Sequence, residues 1–241
     1  MLQVENITKK FAGVTALKEV TFRLPEHSFT ALVGDNGSGK STLVNLITGN
    51  LKADKGRITW QGENLLAMTI KERQRLGIRT VYQDLALDPC KNSCENIFLG
   101  AESKLKKFPL FLDRSTMQKQ ADKLLAELGV NIPDLTLPVR FLSGGQRQGI
   151  ALARAISRGC ELLILDEPFA AMGLRESQKF LARLRALHSQ GITILLITHN
   201  PLAIYQEVDQ LLILRAGELR ATVDTSRVPF AEFEDLYASE I

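Results

Sequence analysis

The sequence contains few cysteines, and their spacing excludes the usual metal-binding and disulfide patterns. Cys90, Cys94 and Cys160 are odd in number, and no second cysteine or histidine pair lies near Cys90 and Cys94 to complete a zinc site. Disulfides persist mainly in oxidising compartments, so reduced thiols in the cytosol are the better interpretation. The first residues, M-L-Q-V-E, also lack the basic stretch and apolar run of a signal peptide, and we expect no secretion leader.

Charge of one sign and long hydrophobic runs are scarce as well. The chain has 30 Lys and Arg against 27 Asp and Glu, a net charge of +3, which is too small an excess to indicate nucleic-acid binding. No uncharged apolar run is long enough to cross a bilayer, so we expect any membrane role to come through a partner. The 241 residues, 45% of them hydrophobic, suffice for one substantial core, as a single domain or a domain with a smaller lobe.

One glycine cluster has a recognisable spacing. Residues 34–41 read G-D-N-G-S-G-K-S, which satisfies G-x-x-x-x-G-K-[ST], and they follow the apolar run 29–33. Glycines let the backbone approach an anion closely, and the helix formers that follow place the loop at a helix N-terminus, where unpaired N–H groups attract phosphate. We therefore predict a nucleoside-triphosphate site in which Lys40 reaches the β- and γ-phosphates and Ser41 ligates Mg²⁺. An ordinary glycine-rich turn is the alternative.

Short apolar runs predict the sheet of the protein. Three near-continuous runs are typical of strands buried on both faces, and the helical patterns between them indicate a parallel α/β sheet. These runs are 29–33, 162–165 and 192–197. Three other runs are also strand-like, and no helical pattern separates the first two of them. They predict an antiparallel portion near the N-terminus. They are 2–8, 20–24 and 57–60.

The middle of the chain has helical patterning. Apolar residues recur at helical spacing from Asp113 to Gly129, where Asp113 or Ser115 can cap the start and Gly129 can end the helix. We expect residues 84–142 to form a largely helical subdomain inserted into the α/β core of a single domain, 1–241. A further helix is expected at about 174–189, and we interpret its arginines and lysine as a solvated face rather than a nucleic-acid patch.

Further motifs carry chemistry. The sequence L-S-G-G-Q at 142–146 precedes a helical run and offers a second anion cradle. Asp166 and Glu167 end a buried strand and point towards the phosphate loop, where Asp166 can hold Mg²⁺ and Glu167 can accept a proton from an attacking water. His199 ends the next strand and can hydrogen-bond near the γ-phosphate. A helix cap, a solvated pair of acids and a structural histidine are the respective alternatives.

In this order, the motifs resemble those of the ATP-binding subunit of ABC transporters, over essentially the whole chain. The matching pieces are the Walker A loop 34–41, Gln83 as the Q-loop glutamine, the signature 142–146, the Walker B strand ending in Asp166, Glu167 as catalytic base and His199 as switch histidine. The resemblance implies the ABC ATPase fold: a P-loop NTPase core of α/β class with a mainly parallel sheet, an N-terminal antiparallel β portion and an inserted helical subdomain. It implies ATP and Mg²⁺ as cofactors.

The resemblance also assigns roles to individual residues. The implied catalytic residues are Glu167, His199 and Lys40, and the implied Mg²⁺ ligands are Ser41, Gln83 and Asp166. The implied nucleotide-binding residues are Phe11, Gly34, Asp35, Asn36, Gly37, Ser38, Gly39, Lys40, Ser41, Thr42, Gln83, Ser143, Gly144, Gly145 and Gln146. Phe11 is the candidate for stacking on adenine, since a π-face suffices, and packing in the core is its alternative.

Partners follow from the same resemblance. The signature of one family subunit completes the ATP site of another, so a head-to-tail homodimer that holds two ATP molecules is implied. The segment after Gln83 is expected to contact an integral membrane permease, which places the chain at the cytoplasmic face of the membrane as a peripheral subunit. An extracytoplasmic solute-binding protein is implied if the transporter is an importer, and no nucleic acid is expected.

Softer cues concern the branch of the family. Four stretches resemble importers of monosaccharides such as ribose, xylose or fructose, although many of those ATPases carry two cassettes and this chain carries one. The stretches are 10–17, 81–87, 95–100 and 198–200. Gly173 stands where the family commonly has the D-loop acid, so a carboxylate that helps to link the two ATP sites is missing. Sugar importers often lack that acid too, and we do not interpret its absence as loss of activity.

Three other functions fit the sequence less well. A soluble ABC-type ATPase acting on nucleic acid or ribosomes is the main alternative, but the chain has neither a long coiled-coil insertion nor a second cassette, and its basic excess is slight. A GTPase is disfavoured because no N-K-x-D motif is present. A non-hydrolysing regulator would need a lost lysine or acid, whereas Lys40, Asp166, Glu167 and His199 are all present.

Overall fold

A computed structural model describes residues 1–101, 106–108, 111–170 and 172–240. The chain divides into two compact units. The first unit comprises Met1–Thr80, Glu161–Glu167 and Leu187–Ile241, and the second comprises Val81–Cys160 and Pro168–Ala186. The strands are β1 Leu2–Phe11, β2 Val14–Leu24, β3 Phe29–Val33, β4 Lys55–Trp60, β5 Glu63–Asn64, β6 Ile78–Val81, β7 Lys106–Phe108, β8 Phe111–Leu112, β9 Leu162–Asp166, β10 Thr193–Thr198, β11 Gln210–Arg215 and β12 Glu218–Asp224.

The α-helices lie between and after these strands. They are α1 Lys40–Thr48, α2 Ile70–Arg75, α3 Ser93–Phe98, α4 Arg114–Glu127, α5 Gly144–Ile156, α6 Leu174–Ser189 and α7 Phe230–Glu240. Of the helices in the described ranges, none combines the length and apolar character that crossing a bilayer requires.

The N-terminal sheet is antiparallel, with strand order β2-β1-β4-β5. Strands β1 and β2 are longer than the sequence predicts because they form a hairpin in which Phe11 pairs with Val14. Ala12 and Gly13, the two residues of its turn, both have positive φ angles, 42° and 91°. Two-residue hairpin turns with positive φ at both positions match the twist of the strands that they join.

The second sheet has the order β12-β11-β3-β10-β9-β6. Strands β9, β10, β3 and β11 pair in parallel, and β12 pairs with β11 in the antiparallel sense. Strand β3 and strand β10 are buried along their whole length, as expected for strands covered on both faces. The α/β class, the mainly parallel sheet and the antiparallel N-terminal portion predicted from the sequence are therefore confirmed.

Strand register sets the position of the candidate site. In the sheet, Thr198 is level with Val33, and Ile197 is level with Asp166. The carboxyl ends of three adjacent parallel strands therefore meet at one edge. The loop 34–39, the acids after β9 and the residues after β10 all start from this edge, which is where ligands bind in open α/β sheets.

The second unit holds α3, α4 and α5, which pack on one another, together with the first part of α6. Asp113 caps α4 by accepting a hydrogen bond from the Thr116 N–H at 3.0 Å, and Gly129, with φ of 61°, follows its end. In the described part of 84–142, loops and the short strands β7 and β8 lie between helices α3 and α4. The loop at 88–92 is held irregular by Asn96, whose side-chain amide donates to three carbonyls of that loop.

Candidate functional site

The glycine loop after β3 has a shape that only glycine allows. Gly34 has a φ of 150°, and a Cβ there would lie 2.0 Å from the Leu214 carbonyl oxygen. Gly39 has a φ of 107°, and its Cβ would lie 2.7 Å from the Ala16 carbonyl oxygen. At both ends, the loop backbone therefore packs closely against neighbouring main chain. The tip of the loop, Asp35–Gly37, is exposed.

The N-terminus of α1 is prepared for an anion. Its N-cap residue, Gly39, offers no side-chain cap, and the first turn of α1 carries no acidic residue. The first N–H groups of a helix need partners from outside the helix, and the positive end of the dipole favours negative charge. In the described part of the chain, the buried Ser38 hydroxyl has no hydrogen-bond partner either. An oxyanion at this position would satisfy these donors.

Lys40 begins α1 and is buried. Its ammonium group donates to the carbonyl oxygens of Gly34 at 2.7 Å and Asp35 at 2.8 Å, so it folds back over the loop. Burial lowers the pKa of Lys40, while Glu167 and the two nearby aspartates oppose that shift. A cation that is partly desolvated and held by carbonyl dipoles can exchange these contacts for phosphate oxygens.

Two acids follow the end of β9. Burial raises the pKa of Asp166, Glu167 raises it further, and Lys40 lowers it, so these three side chains interact electrostatically. Glu167 has an uncommon left-handed backbone, with φ of 48°, and its N–H donates to the Ile197 carbonyl at 3.0 Å. With this backbone conformation, the side chains at the end of β9 do not follow the regular alternation of a strand.

His199 contacts the second of these acids. Its Nδ1 lies 2.9 Å from Oε2 of Glu167. The Glu167 side chain is 15% exposed, whereas the His199 side chain is 62% exposed. A carboxylate can only accept this hydrogen bond, so Nδ1 carries a proton. The first unit thus brings together Lys40, Asp166, Glu167 and His199.

Three other predicted site residues of the first unit, Ser41, Thr42 and Phe11, are exposed or half-buried. Ser41 is exposed and Thr42 is half-buried, both in the first turn of α1. Phe11 is 42% exposed, and the Lys9 ammonium lies 5.3 Å from its ring centroid. Packing in the core, the alternative for Phe11, is therefore wrong. Stacking on adenine stays a prediction.

The signature residues lie in the second unit, at the start of α5. Ser143 and Gln146 form a capping box: the Ser143 hydroxyl accepts from the Gln146 N–H at 3.2 Å, and the Gln146 side chain accepts from the Ser143 N–H at 2.9 Å. The helix-cap interpretation is thus correct in geometry. It leaves the N–H groups of Gly144 and Gly145 in the first turn, where an anion can be bound.

Gln83 is exposed and also belongs to the second unit, where it follows β6. The sequence reasoning missed Arg154 of α5, which holds the segment after Gln83. Its guanidinium donates to the carbonyl oxygens of Leu85 at 2.5 Å and Ala86 at 2.8 Å. The available signal was an arginine within the apolar stretch of α5, which requires a polar partner when it is partly buried.

Comparison with known proteins gives the same family by two routes. The sequence profile of the ABC transporter family matches residues 17–170. A xylose/arabinose import ATP-binding protein of Sulfolobus acidocaldarius is 38% identical over 91% of this chain and 86% of its own length. A fructose import ATP-binding protein of Rhizobium meliloti is 38% identical over 90% of this chain and 85% of its own length.

Another relative is longer, and two solved structures share the fold. A ribose import ATP-binding protein of Hahella chejuensis is 37% identical over 90% of this chain, which spans 43% of that protein. An ATP-binding cassette of an ABC transporter in its ADP conformation has a TM-score of 0.85 and 27% identity, over 99% of this chain and 94% of that chain. A nucleotide-free cassette also has a TM-score of 0.85, with 26% identity over 99% and 95% of the two chains.

Proposed function

The chain belongs to the ABC transporter family of ATP-binding proteins, and from that premise we propose that it hydrolyses ATP to drive the import of a simple sugar. The observation that carries this proposal is the 38% identity to two sugar import ATP-binding proteins, over 86% and 85% of their lengths. In both relatives, the match to this chain covers most of the relative's own length, so one cassette accounts for most of each protein.

We infer that the triphosphate binds in the loop 34–39 and against the N-terminus of α1. The support is the wedged glycine loop, the uncapped first turn and the buried Ser38 hydroxyl. Lys40 would exchange the carbonyls of Gly34 and Asp35 for the β- and γ-phosphates. Phe11, the exposed last residue of β1, would stack on the adenine.

Mg²⁺ fits the donor set that the sequence predicts. The Ser41 hydroxyl, the Asp166 carboxylate and the Gln83 amide oxygen are hard oxygen ligands, which this cation prefers. Mg²⁺ usually binds through one or two such groups together with the phosphates of the substrate. When bound, it would neutralise charge on the phosphate oxygens.

Glu167 and His199 are proposed to handle the proton. Glu167 would accept a proton from the water that attacks the γ-phosphate, and ADP and inorganic phosphate would leave. The hydrogen bond from His199 Nδ1 holds the carboxylate in one orientation. A hydrogen bond from His199 to a γ-phosphate oxygen would come from Nε2–H of the doubly protonated ring, in which Nδ1–H still donates to Glu167.

A second copy of the chain is proposed to complete each site. Ser143, Gly144, Gly145 and Gln146 lie at the start of α5, where main-chain N–H groups can contact a γ-phosphate from outside. Two chains in head-to-tail arrangement would enclose two ATP molecules. Because Gly173 supplies no carboxylate, we expect the two sites to be linked weakly.

A membrane partner is the remaining part of the proposal. We propose that an integral permease contacts the chain at the segment after Gln83 and thereby holds it at the cytoplasmic face of the membrane as a peripheral subunit. An extracytoplasmic solute-binding protein would deliver the sugar. The chain's own residues do not contact the solute, so the sugar itself would be chosen by these partners.

Affinity purification of the chain from detergent-solubilised membranes tests this function. The expected result is an integral membrane protein that co-purifies, with ATPase activity that rises when the complex is supplied with a solute-binding protein and its sugar. Recovery of ribosomes or DNA with no integral membrane protein would overturn the proposal in favour of a soluble ATPase. A matched purification of the Lys52→Ala variant, changed at an exposed lysine, should give the same partner as the parent.

A further inference from the structure

Two charged residues are buried among the described residues, and both contact helix α1. Lys40, which is 6% exposed, starts the helix, and Arg73, which is 3% exposed, contacts its C-terminal end. Charged side chains are rarely buried unless their donors are satisfied. Lys40 belongs to the proposed phosphate site, whereas no motif in the sequence singles out Arg73, which belongs to α2.

The contacts of Arg73 complete the C-terminus of α1. Its Nη1 donates to the carbonyl oxygens of Leu46 at 2.5 Å and Ile47 at 2.8 Å, and its Nε donates to that of Met68 at 3.3 Å. The last carbonyls of a helix lack partners within the helix. Helix α1 has no basic residue in its own last turn, so Arg73 supplies the donors from another element.

Gly49 is shaped to admit this guanidinium. It follows α1 with a left-handed φ of 92°, and its N–H donates to the Asn45 carbonyl at 3.1 Å. A Cβ at Gly49 would lie 3.0 Å from both Cζ and Nε of Arg73. Glycine therefore meets two requirements here, the left-handed cap and the space for the arginine.

Helix α2, which carries Arg73, is held by hydrogen bonds at both ends. At its start, Thr69 and Glu72 form a capping box, with the Thr69 N–H donating to the Glu72 carboxylate at 2.7 Å. At its end, the indole N–H of the buried Trp60 donates to the Leu76 carbonyl at 3.3 Å. The helix that carries the guanidinium is thus fixed at both ends.

The charge on Arg73 also suits its position. Burial lowers the pKa of Arg73, but an arginine remains protonated at any physiological pH. A cation at the C-terminal end of a helix interacts favourably with the negative end of the dipole. Arg73 therefore combines two charge-assisted hydrogen bonds with a favourable helix-dipole interaction.

We propose that Arg73 is a positioning residue for the triphosphate, because it fixes the far end of the helix whose N-terminal N–H groups and Lys40 receive the phosphates. The inference rests on the proposed function, since it acts through that ATP site. A helix of nine residues is a rigid rod about 13 Å long, so movement at one end is transmitted to the other. A misplacement of about 1 Å, caused by a mutation far from the reacting atoms, can cost roughly 10²-fold in reaction rate.

The test is an equilibrium titration of the full chain with ATP, at a temperature at which circular dichroism shows every variant to be folded. Arg73→Met should raise the Kd for ATP by about tenfold, and Arg73→Lys, which keeps a cation, should recover part of that loss. Arg75→Met, at the exposed arginine two residues away, should match the parent. A purely structural role would lower the melting temperature and leave the Kd of the folded protein unchanged.

A pair of glycine variants covers the case in which Arg73→Met does not fold. Gly49→Ala and Gly129→Ala both place a Cβ on a left-handed residue that ends a helix, with φ of 92° and 61°. Only the first would push against a guanidinium, because nothing lies within 4 Å of a Cβ at Gly129. Gly49→Ala should raise the Kd for ATP, and Gly129→Ala should leave it at the parent value.

The outcomes separate this inference from the function on which it rests. If the parent binds ATP and both Arg73→Met and Gly49→Ala bind it equally well, the positioning role of Arg73 is overturned and the ATP site stands. If the parent itself does not bind ATP, the proposed function is overturned, and the role of Arg73 with it.

Discussion

His199 and Glu167 are joined by a hydrogen bond of 2.9 Å between Nδ1 and Oε2, across the ends of two adjacent parallel strands. The carboxyl group is largely buried, and the imidazole is largely exposed. The pair therefore connects a shielded carboxylate to a solvent-exposed ring. Because the carboxylate can only accept, Nδ1 carries a proton in this contact, and the hydrogen bond orients both groups.

Replacing the base should separate binding from turnover. Glu167→Gln keeps the shape of the side chain and removes its basicity, so we expect ATP affinity near the parent value and a fall in kcat of about 10²–10⁴-fold. Phosphate release and equilibrium ATP binding measure the two quantities. Glu161→Gln, the same change at an exposed acid before β9, should leave both near the parent values. Turnover of Glu167→Gln within a few-fold of the parent would remove Glu167 from the role of base.

The raised pKa of Asp166 has a consequence for stability. Burial and then Glu167 raise this pKa above the ordinary value of 3.8, so the folded chain holds the proton more tightly than the unfolded chain. The charged carboxylate therefore costs stability above the unfolded pKa, and the cost disappears below it. Asp166→Asn should melt at a higher temperature than the parent at pH 7.5, with a difference that narrows as the pH falls towards 4.

Asp54 provides the control of opposite sign. A backbone hydrogen bond from Lys10 and a side-chain hydrogen bond from Lys9 lower the pKa of Asp54, so its charged form is stabilised in the folded chain. Asp54→Asn should therefore melt below the parent at pH 7.5. Thermal scans at several pH values check both variants, and a lower melting temperature for Asp166→Asn at pH 7.5 would contradict the account of that carboxyl.

The glycine loop should tolerate change unevenly. Gly34 and Gly37 both have positive φ angles, 150° and 82°, but only a Cβ at Gly34 meets backbone, at 2.0 Å from the Leu214 oxygen. We expect Gly34→Ala to lower the free energy of unfolding by about 3 kcal/mol or more, and Gly37→Ala by about 1 kcal/mol. Urea unfolding measures the difference. Equal losses would show that the contact with Leu214 is unimportant.

Arg154 should hold the segment after Gln83. Arg154→Met removes two hydrogen bonds from a charged donor to the carbonyls of Leu85 and Ala86, so we expect faster amide hydrogen exchange at 84–88 and a loss of about 2 kcal/mol in stability. Arg175→Met, at an exposed arginine of the same unit, serves as control. Exchange at 84–88 that is as slow in Arg154→Met as in the parent would contradict this role.

Periodicity and loop chemistry predict much of this fold. The runs 29–33 and 192–197 are apolar except for one threonine each, and they become central parallel strands because both faces of each are covered. The hairpin at 11–14 was missed because its turn, Ala12-Gly13, contains an alanine with positive φ, which the residue type does not favour. The loop at 88–92 could not be predicted from the local pattern, because the Asn96 side chain holds it through hydrogen bonds to main-chain carbonyls.

The sequence predicts which residues belong to the candidate site better than it predicts their geometry. The spacing of the loop and the acid after a buried strand suffices to name Lys40 and Glu167. The sequence does not reveal that Glu167 has a left-handed backbone or that its carboxylate accepts from His199, since both depend on strand register across the sheet. Arg73 gave no signal, because its burial depends on how α2 packs against the end of α1.

ATP binding by the Lys40→Ala variant tests the central claim most directly. Lys40 is buried at the start of α1, and its ammonium is held by the carbonyls of the glycine loop. We predict that the parent binds ATP in an equilibrium titration and that Lys40→Ala binds it about 10²-fold more weakly, since a charge-assisted contact to phosphate is lost. Lys52→Ala, at an exposed lysine, should match the parent. An ATP affinity of Lys40→Ala equal to that of the parent would contradict the account.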